Sequence, residues 1–224
     1  MTGQALLAAR KQCGLSQMSA AALVGLSQPM LSQMEQGNRK VSTKVALWAV
    51  NAFHAEPTCL PLTAERHKDA QLAADLGSLE YPGFAYLSGQ PRNPAELLFD
   101  ALDRRDLDSR VAEGLPWLPL RYPRLDWIWL NREMKLRNRQ NRLGFVVALS
   151  LVMANRLSNA DVADSLSPVL TELEDARLAK ADTLCQESWP PARREFVHRV
   201  RPPLAAHWNL DTRFSEADLA HYTA

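Results

Sequence analysis

Residues Gln17 to Gln36 read QMSAAALVGLSQPMLSQMEQ, and their spacing decides the fold of the first part of the chain. Apolar or small residues at Ala20, Ala21, Val24, Leu26, Leu31 and Met34 give two short helices one buried stripe each. Gly25 falls between them, where a tight turn needs the left-handed backbone that glycine adopts without a Cβ penalty. Ser16 and Ser27 each precede a helical run and have the side chain of an N-cap. Pro29 then lies in a first helical turn, where a missing N–H is harmless. Ala21 is small where the two helices must approach. Such a pair can lay its second helix in a DNA major groove.

Working outward, LLAARKQCGLSQ, AALVGLSQPMLSQMEQG and NRKVSTKVALWAVNAF together make residues Gln4 to Phe53 resemble the lambda-repressor-like, Cro/C1-type (XRE family) helix-turn-helix domain. The resemblance implies five helices, double-stranded operator DNA as ligand and a homodimer as the working form. Ser19 departs from the acidic residue more common there. The reading helix is expected from about Gln28 to Gln36, with Leu31 and Met34 inward. Gln28, Ser32 and Gln33 are the expected base readers, since glutamine can bond adenine bidentately and serine can serve several bases. Met30 has two open roles, touching a thymine methyl or packing. Gln17, Asn38, Arg39 and Lys40 suit phosphate contacts that fix register. Arg10 and Glu35 occupy positions that often pair in this family, holding the reading helix in place.

Charge agrees with that division. Residues 1–60 carry five Lys or Arg against Glu35 and Glu56, a net of +3, while the remainder of the chain nets −2. A basic head on a slightly acidic body suits a DNA reader with a separate partner or dimer domain.

The 224 residues leave room for a second domain with its own core. The expected organisation is a DNA-binding domain over 1–60, a helical linker and loop over 61–94, and an α-helical partner or dimerisation domain over 95–224, all-α throughout. The longest apolar run, Phe145 to Met153, is too short for a membrane span, and Met1 opens on no leader-like segment, so a cytoplasmic address is expected. Cys13, Cys59 and Cys185 are odd in number, and the histidines lack ligand spacing. No metal site, cofactor or catalytic constellation is expected.

Helices are expected over Ala64–Leu76, Pro94–Asp103, Asp106–Gly114, Asp126–Arg139, Leu143–Asn155 and Pro191–Arg201, with Gly144 a possible kink. Asp161–Thr183 is expected to restart at Pro168, and a loose tail to close the chain. From Arg121 to Arg142 there are seven basic residues against Asp126 and Glu133. Arg132, Lys135, Arg139 and Arg142 would line one face of a continuous helix and form a partner surface. The run NRLGFVVAL, Asn141 to Leu149, resembles a short stretch in the C-terminal domains of AbiE-type antitoxins, which implies autoregulation and a cognate toxin as partner. Trp117, Trp127, Trp129, Trp189 and Trp208 could anchor an interface or fill a core. Two functions follow: a repressor that is the antitoxin of a toxin–antitoxin or phage-defence operon, or a repressor whose helical domain binds a small effector.

Overall fold

A computed structural model describes residues 1–62 and 68–223. The chain divides into two compact units, Met1–Thr63 with Pro91–Asn93 and Ala64–Gln90 with Pro94–Ala224. Each is predominantly helical.

The first unit holds four α-helices, α1 (Gly3–Gln12), α2 (Gln17–Val24), α3 (Gln28–Glu35) and α4 (Thr43–Phe53), followed by a 3-10 turn, Pro57–Cys59, among the described residues, where the resemblance implied five helices. Each helix starts at a hydroxyl cap: Thr2, Ser16, Ser27 and Ser42 accept from the N–H three residues on. Gly25 closes α2 at φ 67°, ψ 31°. Leu6, Ala20, Leu31, Ala49 and Phe53 meet in one core. Gly3 permits the closest approach, since a Cβ there would overlap the Met34 carbonyl of α3.

The second unit contains α5 (Asp69–Ser78), α6 (Pro94–Leu102), α7 (Ser109–Gly114), α8 (Trp117–Arg121), α9 (Trp127–Leu136), α10 (Gln140–Arg156), α11 (Ala160–Asp175), α12 (Pro191–Val200) and α13 (Pro203–His207). A two-residue parallel pair joins β1 (Asp182–Thr183) to β2 (Leu210–Asp211). The long apolar helix α10 is its centre, packed most extensively on α11. Residues 68–90, expected as linker and loop, belong to this unit and bury Leu72, Leu76, Leu79, Tyr81 and Phe84. The expected helix from Ala64 begins, within the described residues, at Asp69; residues 64–67 lie outside them.

Several expectations are corrected. Asn138 at φ 56° ends α9, so α9 and α10 are separate helices and Gly144 is no kink. Helix α11 runs unbroken through Pro168, because proline's φ is helical and the residue lies on the exposed face, where water can satisfy the carbonyl it frees. The helix stops at Asp175, ahead of β1. The tail is packed: its 3-10 segment Glu216–Thr223 buries Leu219 and Tyr222, and the Tyr222 hydroxyl donates to the Glu113 carbonyl at 2.5 Å. No helix among the described residues is long and apolar enough to cross a membrane.

Gly144 faces the fully buried Trp208 ring, which any Cβ would overlap. Helix propensity alone would reward Gly144→Ala by about 1 kcal/mol, but overpacking costs about 1–3 kcal/mol. Gly144→Ala is therefore expected to lower the urea midpoint; a raised midpoint would contradict the close approach.

Candidate nucleic-acid interface

Glu35 sits at the last residue of α3 and is only 4% exposed. A carboxylate so placed needs partners for both oxygens. Arg10 of α1 supplies them bidentately, Nε to Oε1 at 2.6 Å and Nη2 to Oε2 at 3.0 Å, while its Nη1 donates to the Leu15 carbonyl at 2.6 Å. Gln17 of α2 donates to Glu35 Oε2 at 2.8 Å, and Gln28 of α3 donates to Gln17 Oε1 at 2.8 Å. Burial pushes the Glu35 pKa up, but the bonds from Arg10 and Gln17 outweigh it and hold the carboxyl below its ordinary value. The Arg10–Glu35 pair is thus present as expected, and it is continuous with the first candidate base reader.

Leu31 and Met34 point into the core, which leaves Gln28 and Gln33 exposed and Ser32 half-buried on the outer side of α3. Met30 is half-buried, compatible with either of its roles. Asn38, Arg39 and Lys40 are exposed just beyond α3. The Arg39 N–H is tied back to the Gln33 carbonyl at 3.1 Å, which fixes where its side chain departs. Gln17 is half-buried and spends one N–H and its oxygen inside the network, which leaves one N–H over. Three mutually supporting helices therefore present a row of polar side chains on the outer side of α3.

Comparison with known proteins agrees with this geometry. Residues 6–50 match a family model described as Helix-turn-helix. That match lies within the first unit and supports a DNA-binding transcription regulator. No curated protein and no solved structure matches the chain.

The expected partner surface on the second unit is corrected. Arg142 is fully buried, and all five of its N–H groups are taken. Nε and Nη2 grip Asp182 at 2.8 and 2.9 Å, Nη2 also reaches Glu187 at 3.0 Å, and Nη1 donates to the Leu102 and Arg104 carbonyls at 3.0 and 2.6 Å. Arg139 joins the same cluster through Asp182 at 2.9 Å and Glu187 at 2.5 Å. Burial raises the Asp182 pKa, yet Arg142 and Arg139 bring it below the ordinary value. Arg132 and Lys135 stay near the surface, bonded to Glu133 at 3.0 Å and Glu172 at 2.8 Å. The run Asn141–Leu149 is buried along its whole length, so it presents nothing to a toxin.

Sequence reasoning also missed a cleft of about 380 Å³ in the second unit. Leu184 and Val197 lie at its base, with Trp189, Phe196 and Phe214 around it. These residues come from three separate segments with no shared spacing; only the density of arginine and aromatics from Trp189 onward signalled it.

Glu35→Gln would leave Arg10 buried without its counter-charge, and a loss of roughly 3 kcal/mol is expected. Because the folded pKa of Glu35 lies below the unfolded value, its contribution is present above about pH 4.3 and lost as pH falls through the folded value. Urea melts from pH 7 to pH 3 should show the variant's deficit shrinking in the acid limb. A constant deficit would contradict the ionised pair.

Proposed function

We propose that the protein is a non-enzymatic, cytoplasmic repressor that reads a duplex operator as a homodimer, with α3 in the major groove. The observation that carries this is the outward row Gln28, Ser32 and Gln33, with Gln28 held by Gln17. Dimeric reading implies half-sites about one helical turn apart on an inverted repeat. Occupancy at a promoter then blocks transcription by occlusion.

For the second unit, effector binding is the role the geometry supports best, since the cleft falls in the size range of small-ligand pockets. The reading as an antitoxin loses the Asn141–Leu149 run, now in the core, but another observation favours a protein partner. Ile128 and Leu136 are 86% and 70% exposed, two turns apart on one face of α9, with Arg132 between them. A masked toxin would bind there, and Ile128→Asp would release it from the protein purified out of its host. Recovery of the same stoichiometric partner with Ile128→Asp would contradict that surface.

Gln28→Ala or Gln33→Ala is expected to cost about 1–3 kcal/mol at the matching base and to relax specificity there. Fluorescence anisotropy on duplexes from the gene's own promoter measures this; full affinity and selectivity in both variants would overturn the assignment of the reading helix. Arg39→Ala should weaken all sequences alike and flatten the dependence of affinity on salt. An unchanged salt slope would remove the phosphate contact.

A further inference from the structure

The second-unit cleft carries charged groups of both signs. Four charged side chains line it: Arg193, Arg213, Glu113 and Asp218. Asp218 already accepts from the Ser215 N–H at 2.9 Å and hydroxyl at 3.1 Å. The Gln186 amide, also in the lining, is spent on the Leu107 carbonyl at 2.7 Å. Among the described residues, Arg193 and Arg213 make no ion pair with a carboxylate, and Glu113 makes none with a cation. Two guanidinium groups, the Glu113 carboxylate and the second oxygen of Asp218 therefore remain for a ligand.

The rest of the lining favours a flat apolar body. Arg193 lies over the Trp189 ring, 4.4 Å from its centroid, so cation and aromatic face are already stacked. Phe214 is set edge-on against the buried Phe145 at 6.2 Å, and Phe196, 53% exposed, adds a further aromatic ring to the lining. Leu184, Val197, Ala112 and Thr212 are all buried beneath them.

We propose that this cleft binds an aromatic monocarboxylate of one or two rings, a ligand class that rests on the effector-gated reading of the second unit. Arg213 and Arg193 take the carboxylate, for which the planar guanidinium fork is suited. The ring lies among Trp189, Phe196 and Phe214. Glu113 accepts from a ring hydroxyl or N–H and, with Asp218, disfavours a second negative charge.

The test is calorimetric titration of the full chain with benzoate, indole-3-acetate and 2-naphthoate. The controls are the corresponding neutral amides, the dianion phthalate and the ring-free acid octanoate. The expected result is saturable binding of at least one aromatic acid, one per chain, weakened about tenfold or more in the amide and in phthalate. Arg213→Gln and Phe196→Ala change exposed side chains and should keep the native circular dichroism, yet each should lower affinity by about tenfold. Gln33→Ala should bind the acid unchanged. Absence of saturable binding by every aromatic acid up to about 10 mM would overturn the site, as would binding that both variants leave intact. Operator affinity measured with the acid present is a separate readout. A bound acid that leaves it unchanged supports the site and sinks the effector-gated reading.

Discussion

A single buried carboxylate, Glu35, is the constraint on which the first unit depends. It belongs to α3 but is satisfied by Arg10 of α1 and Gln17 of α2, so three helices share one charge. A buried carboxylate stripped of those bonds would carry its desolvation cost uncompensated. The same group reaches the surface, because Gln17 passes the network on to Gln28. Core stability and the orientation of a candidate base-reading side chain are therefore one hydrogen-bonded system, whose members reinforce one another. A reader of DNA benefits, since a glutamine that is oriented before binding has less freedom to lose on contact.

The second unit uses the same chemistry to the opposite end. Arg142 directs every N–H inward, to Asp182, Glu187 and two carbonyls, and ties the start of α10 to the end of α6 and to β1. Cys185 lies beside it, its thiol pushed up to about 11 by burial. Charge that looks available in a list of residues is consumed by the fold. What remains on offer lies elsewhere, in the aromatic cleft and on the exposed face of α9.

The helix-turn-helix was legible because its determinants are local. Caps, turn glycine and apolar stripe all act within about four residues, and the outward positions follow from the helical period alone. The second unit was legible in class but not in detail. Arg132, Lys135, Arg139 and Arg142 share a face only if the helix is continuous, and Asn138 in the left-handed region breaks it. The partners that bury Arg142 stand at 182 and 187, beyond any spacing rule. Gly144, suggestive as part of a family-like run, is explained by Trp208 at the other end of the unit. Pro168 misled because a proline on a solvent-facing turn stops a helix far less firmly than one in the core.

The most direct measurement is selection of bound duplexes from a random-sequence DNA pool by the purified full chain, repeated at two salt concentrations. The expected result is enrichment of an inverted repeat whose half-sites lie about one helical turn apart, retained at the higher salt. A pool that stays random, with binding that disappears as salt rises, would mean that α3 meets only phosphates and that the protein does not read sequence.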